Sequence, residues 1–300
     1  MVTILDGGMG RELWRSGAPF RQPEWSALAL YDAPELVQAA HRRFVDAGAD
    51  VVTTNTYAVV PFHIGDERFA ADGERLSELA GRLAAAAVAE SAAVSKSAAV
   101  TESAAAARVA GSLPPLFGSY RPDLFDAAAA PAVIDPLVAG LAPHVDLWLG
   151  ETLGSIAEAA AVREALDRHA QTEELWLSFN LDERAPGRLI SGETVAEAAR
   201  AAEDLGASTL LFNCCPVEAI ETALDGLDTG LAVGGYANRF VAHHDDDHAA
   251  NDGLSDYRSD LDPGHYADAA ARWVRLGATV IGGCCGIGPE HIAELARRLH

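Results

Sequence analysis

The sequence predicts a single (β/α)₈ barrel over residues 1–300. Three observations lead there: eight short apolar runs, hydrophobicity that is continuous rather than alternating within most of them, and helical periodicity after most of them. The runs fall at residues 3–7, 50–57, 107–113, 145–153, 175–181, 209–214, 231–236 and 278–284. A continuously apolar strand is covered on both faces, which marks a parallel sheet wrapped by helices. The competing open, doubly wound sheet would carry G-x-G-x-x-G after a strand, and Gly7-Gly8-Met9-Gly10 lacks that spacing. No interdomain linker interrupts the pattern.

Strand one ends in Asp6-Gly7-Gly8-Met9-Gly10. Residues 34–48 then place Leu36, Val37, Ala40, Phe44 and Val45 on one helical face. Strand two ends in Thr53-Thr54-Asn55-Thr56-Tyr57. Residues 83–106 are rich in Ala, Ser and Val, and predict a long helix interrupted near 95–97 and followed by loose chain. Strand three covers 107–113. Strand four ends in Gly150-Glu151-Thr152, with a helix over 155–169, and strand five precedes a helix over 194–205. Strand six ends in Asn213-Cys214-Cys215, ahead of a helix at 218–224. Strand seven ends in Gly235-Tyr236-Ala237-Asn238. Strand eight ends in Gly282-Gly283-Cys284-Cys285-Gly286, with helices over 266–276 before it and 289–299 after it. Pro289 suits a first helical turn, where no amide hydrogen is needed. Between strand seven and its helix, His243-His244-Asp245-Asp246-Asp247-His248 reads as a solvated acidic loop at the rim, a candidate lid, with a second metal site as the alternative.

Composition narrows the partners. Forty-four acidic residues against 22 basic ones, a net charge of −22, leave no stripe for phosphates and argue against nucleic acid. With 49% hydrophobic residues the chain is not intrinsically disordered. No apolar run reaches the roughly 18 residues of a membrane span. Met1-Val2-Thr3-Ile4-Leu5-Asp6 shows no basic segment before an apolar stretch, so a cytoplasmic location is expected. The sequence leaves the oligomeric state open.

The four cysteines form two adjacent pairs, Cys214-Cys215 and Cys284-Cys285. Neighbouring cysteines make poor disulfides, and a reducing cytosol disfavours them, so metal ligands or reactive thiols are the better reading. In a barrel, all strand carboxyl ends face one rim, so pairs seventy residues apart converge. Three thiolates suit Zn²⁺, and three protein ligands leave one tetrahedral position open, as catalytic sites do. Flanking glycines at 282, 283 and 286 permit the sharp turn that aims both Cys284 and Cys285. Spacing alone does not choose between Cys214 and Cys215. Each cysteine taken singly would be a small buried hydrophobe.

Asp6-Gly7-Gly8-Met9-Gly10, Thr54-Asn55-Thr56-Tyr57, Gly150-Glu151-Thr152, Asn213-Cys214 and Gly282-Gly283-Cys284-Cys285-Gly286 together resemble the homocysteine S-methyltransferase family, in matching order from residue 4 to about residue 295. The resemblance implies a zinc-bound barrel that methylates homocysteine to methionine. It makes Cys214, Cys284 and Cys285 the zinc ligands and Cys215 a neighbour. It places Asp6, Gly7, Thr54 and Glu151 around homocysteine, with Glu151 suited to the α-ammonium. Tyr236-Ala237-Asn238 resembles the family's Tyr-Pro-Asn, with alanine in place of proline, and so adds Asn238.

Such a family member expects no protein nucleophile. Free thiols ionise near about pH 8.5, whereas a zinc-bound thiol is a thiolate at neutral pH. The implied partners are homocysteine and a small methyl donor on a positive centre. At this length the chain resembles the sulfonium users, with S-methylmethionine or S-adenosylmethionine as donor. Gly111-Ser112-Leu113-Pro114-Pro115 departs from the family's Gly-Ser-x-Gly-Pro, which keeps betaine open. A selenocysteine methyltransferase would use the same thiolates. A zinc-stabilised binding protein would close the site with Cys215.

Overall fold

In the computed structural model, residues 2–19, 21, 23–97, 106–240 and 257–300 are described. The order is β1 (Thr3–Ile4), α1 (Met9–Arg15), α2 (Ala27–Asp32), α3 (Pro34–Asp46), β2 (Val51–Thr53), α4 (Pro61–Ile64), α5 (Asp66–Ser97), β3 (Arg108–Leu113), α6 (Ala130–Leu141), β4 (Leu147–Leu153), α7 (Ile156–Arg168), β5 (Glu174–Phe179), α8 (Val195–Asp204), β6 (Thr209–Asn213), α9 (Val217–Leu224), β7 (Ala232–Tyr236), α10 (Pro263–Arg275), β8 (Val280–Ile281) and α11 (Pro289–Leu299). Every strand neighbours the next in parallel register, and β8 pairs with β1. A parallel bridge from Leu5 to Val51 joins β1 to β2 and closes the ring into a (β/α)₈ barrel.

Each predicted strand is present, most of them shorter than its apolar run. The continuous hydrophobicity has the expected cause. Leu147 and Leu149 point into the barrel with Leu5, Val51, Trp176 and Leu211, while Trp148, Leu210 and Phe212 point out into the helix layer. Side chains alternate, but both faces are dry, so no position can be polar on periodicity alone.

Local chemistry sets the helix starts. Thr194 and Glu197 form a capping box on α8, Ser155 accepts from Glu158 N at α7, and Asp262 accepts from His265 N at α10. The long helix differs from the sequence reading. α5 begins at Asp66, not near residue 83, and runs unbroken to Ser97. Its first turn carries Asp66 and Glu67, which favour a helix N-terminus. Leu76, Ala80, Leu83, Ala84 and Ala87 are buried, and α5 packs between α3 and α6. Small alanines allow that close approach, which explains a face with few large side chains. Residues 98–105 and the whole acidic segment His243–His248 lie outside the described residues.

Candidate active site

A cavity opens at the carboxyl ends of the strands. Its walls bring together residues from β1, β2, β4, β6, β7 and β8, the loops after them and the loop after β3. At one corner sit three sulfurs. Cys214 Sγ lies 3.8 Å from Cys285 Sγ, Cys285 Sγ lies 4.0 Å from Cys284 Sγ, and all three fall within 4.8 Å of one another. Among the described residues this is the one cluster able to hold a metal ion.

The backbone aims these sulfurs. Cys214 has φ +51, a left-handed conformation uncommon outside glycine, just after β6 ends. Asn180 Nδ2 donates to the carbonyls of Asn213 and Cys214, 3.0 Å each, and holds that kink. On β8 the expectation about glycines holds only in part. Gly286 alone has positive φ, +83. Gly283 is needed for room instead, because a Cβ there would overlap the Ile287 side chain. Hydrogen bonding from Cys284, then Cys285, pulls the Cys214 thiol well below its ordinary range, and hydrogen bonding to Cys214 pushes the other two up.

Cys215 takes the opposite fate. It is buried in the outer hydrophobic core, and burial pushes its thiol up. It is outside the sulfur cluster, so the four-sulfur closed site required by a non-catalytic binding protein does not form among the described residues. His291, on α11, is fully buried. It accepts from Gly288 N at the start of α11 and faces the Leu261 carbonyl.

A second corner holds two carboxylates. Asp6, just past β1, accepts from Thr53 N at 2.8 Å and from Thr53 Oγ1 at 3.0 Å. Burial outweighs these bonds and pushes its pKa up to about 8. Glu151 lies on β4, where the register slips between Gly150 and Leu153 and Thr152 adopts φ +58. Such a bulge re-aims a side chain, here into the cavity. Ser112 Oγ donates to Glu151 Oε2 at 2.7 Å, yet burial dominates and raises Glu151 to about 7. The Tyr236 hydroxyl is close enough to help lower this value but has no well-formed hydrogen bond.

Of the residues anticipated around a substrate, Asp6, Gly7, Thr54 and Glu151 all line the cavity. Thr54 Oγ1 is already engaged, accepting from Ser112 N at 3.0 Å and pairing with Thr56 Oγ1 at 3.0 Å. Asn238 is not on the cavity wall. Its Oδ1 accepts from Phe240 N at 3.2 Å and so caps the turn after β7.

The wall also includes residues that no motif singled out, among them Arg11, Trp25, Ser26 and Tyr120, and it includes Tyr236 from the end of strand seven. Tyr120 matters most, because its hydroxyl donates to Cys214 Sγ at 2.9 Å. No motif marks it, but its place in the loop after β3 puts it at the active rim, and that much was readable. Of the five non-glycine residues described with positive φ, Trp25, Tyr120, Thr152 and Cys214 line this cavity, the fifth being Ala170. Sparse backbone conformations gather where a structure must hold a functional geometry.

A closed parallel barrel whose carboxyl rim carries a thiol trio able to hold a metal ion, with one buried and one half-buried acid beside it, defines an enzyme site of the barrel class. The sequence profile described as homocysteine S-methyltransferase matches residues 3–299, and the chain belongs to that family. It is 30% identical to "Homocysteine S-methyltransferase" of Escherichia coli, over 99% of this chain and 95% of that one. It is 24% identical to "Selenocysteine Se-methyltransferase" of Brassica oleracea var. italica, over 99% of this chain and 88% of that one. The crystal structure of the homocysteine methyltransferase MmuM from Escherichia coli superposes with a TM-score of 0.79 in its metallated form and 0.74 in its apo form. Both comparisons show 27% identity over 99% of this chain, and over 96% and 95% of MmuM respectively.

Proposed function

We propose that this protein transfers a methyl group from a sulfonium donor, S-methylmethionine or S-adenosylmethionine, to the sulfur of homocysteine, giving methionine. Cys214, Cys284 and Cys285 hold Zn²⁺. The observation that carries the reading is the sulfur spacing. A tetrahedral Zn²⁺ with Zn–S bonds of about 2.3 Å needs sulfurs about 3.8 Å apart, and the trio lies within tenths of an ångström of that at two edges. When bound, zinc supplies an open position at which a thiol is held as the reactive thiolate.

The protein's own residues do the rest by placement and charge. Burial raises the pKa values of Asp6 and of half-buried Glu151. A substrate ammonium between them favours the ionised form of both acids. That contact fixes one end of homocysteine while its sulfur reaches the thiol corner. Thr54, through Ser112, keeps β2 and β3 in register beneath Glu151. Gly7 keeps the rim open beside Asp6, since a Cβ there would press on the Ile287 carbonyl. Trp25, Tyr57 and Tyr120 give the cavity aromatic walls, which attract cations over their faces. The acids, thiolates and rings favour a positively charged donor, with Arg11 as an opposing cation on the same wall. No step needs a nucleophile on the protein. Positioning of two bound reactants alone supplies several kcal/mol.

The test is direct. Purified protein is incubated with homocysteine and, separately, with S-methylmethionine, S-adenosylmethionine and betaine, and methionine is measured before and after metal removal. Methionine from a sulfonium donor, lost on metal removal and regained with Zn²⁺, is the expected result. Full turnover in the metal-free protein would overturn it. Competition between homocysteine and selenocysteine ranks the two acceptors. No helix among the described residues is long and apolar enough to cross a membrane.

A further inference from the structure

We infer that Tyr120 is a positioning residue for the metal. Its hydroxyl donates a hydrogen bond to Cys214 Sγ, at 2.9 Å, and so sets the strength of that sulfur as a ligand. The inference rests on the reading of the thiol trio as a metal site. It concerns a side chain that no motif singles out and that reaches the sulfur from a loop far away in sequence.

Three observations make the contact a built one. First, Tyr120 sits at φ +60, a conformation a bulky residue adopts only when its surroundings hold it. Second, its loop is tied down one residue earlier: the Ser119 hydroxyl pairs with the Tyr57 hydroxyl at 2.8 Å, and Ser119 is buried. Third, the acceptor is equally constrained. Cys214 is kinked at φ +51 and clamped by Asn180 through two carbonyls. Two strained residues from different strand ends thus meet at one oxygen and one sulfur. Chance packing of a tyrosine against a cysteine would not require both backbones to leave their preferred regions.

The chemical consequence follows from sharing one lone pair. A hydrogen bond to a ligating thiolate draws charge from the sulfur and fixes the direction of the remaining lone pair. The metal then sees a better-oriented ligand that donates less charge. Partners that orient metal ligands typically contribute about 10–100-fold in metal affinity. Cys284 and Cys285 lack such an oxygen donor among the contacts described, so the effect belongs to one of the three sulfurs.

The experiment uses the full chain with Co²⁺ in place of Zn²⁺, because cobalt bound to thiolate gives a sulfur-to-metal charge-transfer band. Tyr120→Phe removes one oxygen and keeps the ring. The expected result is a band shifted to lower energy, as the sulfur lone pair rises, with Zn²⁺ affinity about tenfold weaker or worse in a chelator competition. Tyr57→Phe is the matched variant. It loosens the same loop through Ser119 but leaves the oxygen on Cys214, and its band stays where the unaltered protein has it. Identical bands and affinities within twofold for Tyr120→Phe overturn the inference. So does an equal shift in Tyr57→Phe, which would make the effect mechanical. If the unaltered protein shows no thiolate band with cobalt at all, the metal reading itself fails and the inference falls with it. If that band is present and Tyr120→Phe leaves it alone, only the inference falls.

Discussion

Cys214, Cys284 and Cys285 are aimed by the main chain, whereas Asp6 and Glu151 are aimed by what buries them. At the thiol corner, a left-handed Cys214, a left-handed Gly286 and the Asn180 clamp fix where sulfur points. At the carboxylate corner, the acids keep only a few hydrogen bonds and sit with pKa values raised to about 8 and about 7. At both corners a cation would favour the ionised form of groups that otherwise hold protons, and the difference lies in which cation that is. The thiols suit a resident metal held by geometry. The acids suit a transient ammonium, because a site that is costly to leave empty rewards a ligand bringing the opposite charge. One residue joins the two. Asn213 accepts from Thr152 N at 3.1 Å and donates to Thr152 Oγ1 at 2.7 Å, so the bulge that aims Glu151 is tied to the residue preceding Cys214.

The comparison breaks most visibly at the metal. Cys284→Ser replaces a soft ligand with a hard one. It is expected to lower bound zinc below stoichiometry, measured by atomic emission, and to cut turnover about a thousandfold or more, several kcal/mol at about 1.4 kcal/mol per decade. Retention of full zinc and activity would remove the thiol corner from the chemistry.

Glu151→Gln probes the other corner. Losing the charge that meets a buried ammonium costs about 2 kcal/mol or more, so kcat/KM for homocysteine should fall about thirtyfold, with zinc content unchanged. The same variant should melt a few degrees higher than the unaltered, ligand-free protein at pH 8, by calorimetry. The sign follows from the raised pKa. An acid favoured in its protonated form by folding contributes stability that is complete below the ordinary carboxyl range and lost as pH rises through about 7. Glutamine has no charge to bury. A lower melting temperature at pH 8 would show that the carboxylate is structural.

The pH dependence of substrate binding sharpens the same point. Since an ammonium needs ionised acids, KM for homocysteine should rise about tenfold per unit as pH falls below about 8, where Asp6 gains its proton, and about a hundredfold per unit below about 7, where Glu151 holds one too. Glu151→Gln should flatten that rise. The smallest effect belongs to Cys215→Ala. It trims one buried sulfur from the outer core, at a cost of about 1–2 kcal/mol by denaturant unfolding, and leaves zinc stoichiometry intact. Loss of zinc in that variant would bring Cys215 into the site.

Much of this was legible in advance. Continuous apolar runs announced a parallel sheet because both faces of each strand are dry, and the strand-end motifs placed the acids and thiols on one rim. The errors share a cause. The start of α5 was missed because its first turns expose charge and carry little apolar periodicity. Asn238 was assigned to the cavity from its motif, but its side chain is taken up by the Phe240 amide, a choice that depends on the turn and not on the residue.

By itself the sequence determined the barrel, the rim and the kinds of atom available there, since these follow from hydrophobic pattern and residue type along the chain. Spacing left Cys214 and Cys215 open and the family resemblance chose Cys214; the tertiary structure puts Cys214 on the cavity wall and Cys215 in the outer core, and only it brought Tyr120 to that sulfur. Adjacent residues in a strand end point to opposite faces, and which face meets the cavity depends on a single backbone torsion at residue 214 and on an asparagine from a neighbouring strand that holds it.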